Sequence, residues 1–194
     1  MANLKEIRNR ISSIGSTMQI TSAMKMVSAA KLKKATDTIM AMRPYSEKLT
    51  ELIQNVSATL EGDNSGVYSQ TREVKNVLLV VITSNRGLCG GFNANIIKQI
   101  NTLKATQYKD VNVDLLTIGK KGHDILRKSF TVIENKSDLF DHVDFANCAV
   151  IAEQMMEAFV EEKYDSIQIV YNQFKNAAVQ IITTEQLLPL PKTE

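Results

Sequence analysis

Residues 77–104 read VLLVVITSNRGLCGGFNANIIKQINTLK. Val77–Thr83 is an unbroken apolar run of strand length that ends in turn formers, the pattern of a strand buried on both faces. Gly87, Gly90 and Gly91 follow, and then a stretch that repeats apolar residues at helical spacing from Asn93. Strand, glycine-rich turn and helix form the unit from which parallel sheets are wound.

The same alternation continues downstream. Strands are predicted at Val77–Ser84, Val111–Ile118, Phe130–Asn135, Ile167–Gln173 and Val179–Thr184, with helices at Asn93–Lys104, Lys120–Lys128 and Val143–Tyr164. The five residues FKNAA between the last two strands are too few for a parallel crossover, so that pair is expected to be an antiparallel hairpin. Residues 75–190 are therefore read as a Rossmann-like, mostly parallel five-stranded α/β domain with an antiparallel edge hairpin.

Upstream the period is different. Leu4, Ile7, Ile11, Ile14 and Met18, then Leu32 and Ile39, fall on a 3-4 spacing that marks the seam of a long helix or coiled coil. Between them the seam turns polar at Thr21, Lys25 and Ser28, while Met24, Met26, Val27 and several alanines spread apolar surface around the helix. Three readings fit: a buried core helix, a rod surrounded by partners at mid-length, or a basic helix on a membrane or nucleic acid. The last is disfavoured, because the basic residues form no single face and no aromatic residue precedes Arg43. Pro44 predicts a kink or break near Arg43–Tyr45, with a second helix to about Leu60. Residues 1–60 are thus a helical unit, and 61–74, which include EGDNSG, a linker.

Composition bounds the rest. The 194 residues are 44% hydrophobic and 23% charged with net charge +2, an ordinary globular balance. The charge is uneven: about +6 sits before Pro44 and about −4 beyond it, by formal counting. No apolar run reaches the roughly 18 residues of a membrane span, and the first residues lack the apolar core of a secretory signal. Two cysteines, Cys89 and Cys148, make no disulfide framework and point to a reducing compartment.

The glycine loop invites a nucleotide or a nucleophile. It lacks both G-x-G-x-x-G and the P-loop pattern, and the second strand ends in TIGKK without the acid that would hold a ribose. Cys89 needs a base, and His123 and His142 follow later strands, so a small residue packed at a strand end is the simpler reading. Cys148, within ANCAVIAEQMM, reads as core. Two Cys and two His are too scattered for a metal set. No catalytic, cofactor or metal residues are assigned. Arg86 is open to two readings, a solvated surface arginine or a docking arginine whose fork meets a carboxylate.

Together, LKEIRNRISSIGSTMQITSAMKMVSAAKLKKA, MRPY, SNRGLCGGFN and TTEQLLPLP resemble the gamma subunit of bacterial F-type ATP synthases along nearly the whole chain. That resemblance implies a non-catalytic central-stalk rotor whose partners are the alpha and beta subunits of the catalytic head, the epsilon subunit and the c-ring, with no nucleic acid. It implies a peripheral position on the cytoplasmic face of the bacterial inner membrane, and the coupling of c-ring rotation, driven by proton flow, to the catalytic sites on beta. Met24 and Lys25, with Val27 beside them, match the rod segment facing an acidic loop of beta. Arg86 matches an arginine that reaches a second such loop, with Leu88 and Cys89 shaping its shoulder. The N-terminal helix would be half of an antiparallel coiled coil. Family members continue for roughly a third beyond LLPLP, where the C-terminal helix lies, so the seam is expected to lack its partner within these 194 residues.

Overall fold

The computed structural model describes residues 3–59 and 66–191. They divide into two compact units, Met1–Asn55 and Val56–Glu194, and each is taken by itself.

The first unit is one helix, α1, within Leu4–Thr59. At about 1.5 Å per residue, its 56 residues span roughly 84 Å. Asn3 opens it, its carbonyl accepting from the amides of Glu6 and Ile7. Along the solvent-facing surface Arg10 pairs with Glu6 at 2.9 Å and Lys48 with Glu51 at 2.6 Å. Thr17, Thr21, Thr38 and Thr50 return their hydroxyls to the carbonyls one turn back. Of the kink or break expected near Arg43–Tyr45, the break and the separate second helix are absent: Pro44 lies inside one continuous helix. Proline deletes one rung and crowds one carbonyl, a cost of about 3 kcal/mol. Forty residues of helix on one side and fifteen on the other hold the rung's neighbours in place.

The second unit winds around one strand. β1 (Asn76–Ile82) is central in the order β3-β2-β1-β4-β5, where β2 is Asn112–Ile118, β3 Thr131–Asn135, β4 Ser166–Phe174 and β5 Gln180–Leu188. β1 pairs in parallel with β2 and with β4, and β2 in parallel with β3. β4 and β5 are antiparallel, as their short connection requires. In that connection Asn176 Oδ1 accepts from the amides of Ala178 and Val179.

Alternation along β1 builds two cores. Val77, Leu79 and Val81 face helices α2 (Phe92–Thr106) and α3 (Lys120–Leu126), meeting Ile96, Ile100 and Leu126. Leu78 and Val80 face α4 (Phe145–Val160), meeting Ile151, Met155 and Phe159. All five β1 residues are at most 1% exposed. Only a strand covered on both sides tolerates so continuous an apolar run. Cys148 is exposed rather than core. The buried face of α4 is Ile151, Met155 and Phe159, spaced four residues apart, and the first turn, including Phe145 at 88% exposure, lies outside it.

The stretch read as the end of a linker is partly docked. A 3₁₀ turn at Val67–Ser69 places Tyr68 against the α4-side core, and the Leu190 amide donates to the Tyr68 carbonyl at 2.8 Å. Residues 61–65 of that expected linker lie outside the described residues.

The ends of β1 and β2 are pinned by Thr83. Its amide donates to Ile118 O at 2.8 Å, and its hydroxyl donates to Gly119 O and accepts from the Gly122 amide. Gly119 has φ +124, and a Cβ there would stand 2.1 Å from Thr83 O. Gly119→Ala therefore meets both a backbone clash and a forbidden φ, and is expected to destabilise this unit by about 2–5 kcal/mol. Gly87→Ala meets nothing closer than 3.9 Å and is expected to stay within about 0.5 kcal/mol. Urea unfolding followed by tyrosine absorbance checks both; equal midpoints for the two variants contradict this packing.

Candidate functional site

The chain order reverses at β1: β2 and β3 are laid to one side, and α4 then carries the chain back to β4 on the other. In sheets wound this way, the crevice beyond the strand ends at that reversal is where ligands bind. The loop Thr83–Gly91 emerges there.

Its geometry is set by two asparagines. Asn93, in the first turn of α2, accepts from the Ser84 amide at 3.0 Å and donates to Ser84 Oγ at 2.8 Å and Cys89 Sγ at 3.2 Å. Asn85 accepts from the Lys120 amide at 2.9 Å and donates to Ser137 O at 3.0 Å. Ser84 Oγ closes onto Arg86 O at 2.5 Å. Both roots of the loop are thus tied down, and Arg86–Gly90 project as an exposed tip. At the reversal itself, Asn172 of β4 donates to Phe92 O at 3.0 Å and spans the crevice.

Leu88 is the most telling residue of the tip. It is fully exposed, at 102% of its reference area, and adopts φ +62. A branched aliphatic residue in the left-handed region costs of order 1–3 kcal/mol and persists only when its surroundings dictate it. Below it runs a shallow open groove between α2 and α3, with Ile97 and Ile125 in its floor and Lys98 and Lys121 on its rim.

Arg86, Leu88 and Cys89 therefore share one exposed surface, Leu88 beside a free arginine side chain and a thiol. Cys89 was expected to pack at a strand end; instead its sulfur lies at the surface, held by Asn93. His123 pairs with Thr117 Oγ1 at 3.2 Å. Among the described residues no group of three or more His, Cys, Asp or Glu is arranged to hold a metal ion, and no described helix is long and apolar enough to cross a membrane.

The helical unit carries the other predicted contacts. Met24 and Val27 are 58% and 56% exposed, and Lys25 is exposed beside them. The seam residues Leu4, Ile7, Ile11, Ile14, Met18, Leu32 and Ile39 are 37–69% exposed. An apolar stripe of that extent is more than scattered surface hydrophobicity.

Sequence reasoning missed Asn85 and Asn93, which position the tip, and the conformation of Leu88. The available signal was an asparagine in the first turn after a glycine pair, a residue type that readily bonds nearby backbone.

A family model described as ATP synthase matches residues 3–194. The ATP synthase gamma chain of Flavobacterium psychrophilum is 62% identical over 190 residues, covering 98% of this chain and 66% of that protein. The gamma chain of Flavobacterium johnsoniae is 63% identical over the same shares, and that of a Geobacter strain is 44% identical. The chain thus spans just under two thirds of the length of these relatives. Among solved structures, a chain of the Tetrahymena thermophila mitochondrial ATP synthase central stalk and c-ring aligns with a TM-score of 0.66 at 29% identity, over 88% of this chain and 72% of that one. A chain of the Euglena gracilis mitochondrial ATP synthase rotor aligns at 0.59 and 24% identity, which speaks for the fold alone. A long helix with an open apolar stripe, an α/β unit with an exposed arginine–leucine loop and these relatives agree: the chain belongs to the ATP synthase gamma chain family.

Proposed function

We propose that this chain is the central-stalk rotor subunit of a proton-translocating F-type ATP synthase, non-catalytic by itself, which couples rotation of the membrane c-ring to conformational changes at the catalytic sites on beta. The observation that carries the reading is α1: 56 residues of helix whose apolar seam stands open along its length. A free helix of this kind is a poor end state, and the family's C-terminal helix is its proposed cover, in an antiparallel coiled coil. The proposed partners are alpha and beta around the rod, epsilon beside the α/β unit and the c-ring beneath. The proposed location is peripheral, on the cytoplasmic face of the bacterial inner membrane.

Coupling requires that rotor orientations differ in contact energy with each catalytic state. Driving a site from one per cent to ninety-nine per cent of a state takes about 5.5 kcal/mol. One exposed ion pair supplies at most about 1 kcal/mol, so Lys25 or Arg86 against an acidic loop sets register rather than drive. On the order of 200 Å² of apolar area, at about 25 cal/mol per Å², supplies the remainder. Met24 and Val27, exposed on the rod, and Leu88, exposed on the loop, are proposed to provide part of it.

Four outcomes test the reading. The full-length chain reconstituted with alpha and beta is expected to assemble and rotate in a single-molecule assay, and failure to assemble sinks the proposal. Met24→Lys is expected to change the ratio of protons pumped to ATP hydrolysed in the reconstituted complex, with the melting temperature unchanged because the side chain is exposed; an unaltered ratio is the contrary result. Arg86→Ala is expected to weaken assembly roughly two- to fivefold without lowering the hydrolysis rate of assembled complex. Tight stoichiometric binding of ATP, ADP or NAD at Gly87–Gly91 of the isolated chain would count against a rotor and for an α/β enzyme.

A further inference from the structure

Helix α4 ends in an unusual way. The Glu162 amide donates to Phe159 O at 3.1 Å and the Lys163 amide to Ala158 O at 3.0 Å. These two crossed bonds make the helix ending whose left-handed residue is ordinarily glycine. Here that residue is Glu162, with φ +59. A side chain at this position costs of order 1 kcal/mol relative to glycine, so its presence asks for a compensating contact.

Arg72 lies over the same helix end. Its Nη2 donates to Phe159 O at 2.7 Å, and its guanidinium stands 4.5 Å from the centre of the Phe159 ring. Phe159 is fully buried. Arg72 Nε and Nη1 are buried and make no hydrogen bond. A buried guanidinium with two idle donors is costly unless a carboxylate compensates it. The Glu162 carboxylate stands 3.8 Å from Nη1, on a side chain that is 72% exposed. The other carboxylate in an ion pair nearby in sequence, Glu73, is engaged with Lys75 at 3.0 Å.

We propose that Glu162 is held in its left-handed conformation as the counter-ion of Arg72, and that the pair is a latch fastening segment 66–74, the chain's entry to β1, onto the end of α4. The latch secures the exit as well as the entry, because the Leu190 amide is bonded to the Tyr68 carbonyl within that segment. Segment 66–74 is the point at which the end of α4 and Leu190 are both held. On the rotor reading that point carries load, but the latch itself does not depend on that reading and is tested in the chain alone.

Glu162→Gln keeps the backbone and removes the charge; Glu162→Gly removes both the carboxylate and the backbone penalty. Hydrogen exchange of the Ser69 and Leu190 amides is the readout, with the Ile100 amide of α2 as an internal reference. Both variants are expected to speed exchange at Ser69 and Leu190 roughly three- to tenfold and to leave Ile100 unchanged. Arg72→Met combined with Glu162→Gln is expected to exchange no faster than Arg72→Met alone, because either change opens the same latch. The proposal is overturned if Glu162→Gln leaves both amides unchanged. It is equally overturned if Glu162→Gly raises the melting temperature with no faster exchange, since Glu162 is then only a poor residue at a helix end. Because Glu162 is exposed, neither of its variants depends on Arg72→Met folding.

Discussion

Everything in the α/β unit depends on β1 being covered on both faces. Five consecutive apolar side chains have no solvent face to present, so helices must lie on each side of the sheet. Once α2 and α3 take one face, the crossover through α4 must take the other, and the chain reverses at β1. The exposed loop is a by-product of that reversal: it stands where the sheet changes direction and no neighbouring helix closes over it. Thr83 fixes the loop's base by occupying the space that side chains at Gly119 and Gly122 would need. Packing of a strand thus decides where a surface tip appears more than forty residues before the last crossover is complete.

Much of this is legible in the sequence. Periodicity places the five strands and three α-helices of the α/β unit to within a few residues, though not its two short 3₁₀ turns, because buried strands and amphipathic helices differ in period and in length. The hairpin followed from the length of its connection alone. What escaped was governed by competition between local and cooperative terms. Pro44 is a strong local signal, yet the helix on either side outweighs one lost rung. α4 is apolar around most of its circumference, so its sequence did not reveal that Cys148 lies outside the sheet's footprint. In the loop, the left-handed angles fall on Gly90 and on Leu88, and nothing in the pattern of three glycines marks Leu88 for one.

The two units solve opposite problems. The α/β unit buries its apolar residues internally and leaves a small, shaped tip. The helix buries almost nothing and presents small, apolar and basic side chains in alternation. On the proposed reading, a chain built this way would distribute its contacts along a length rather than into a pocket, which would suit contacts exchanged in turn rather than held. The energetic argument points the same way: ion pairs at the surface are too weak to drive a neighbour between states, and extended apolar contact is strong enough but must be broken at each exchange.

The fixed angle at Leu88 has a consequence for association. A flexible loop loses conformational freedom when it docks, and that loss is subtracted from every contact it makes. Here the two asparagine brackets and the left-handed turn have already spent that freedom during folding. On the proposed reading, an incoming surface would meet an apolar tip whose direction is decided, so contact would be gained with little ordering penalty. A tip set in advance would keep affinity that a loop ordered on docking loses.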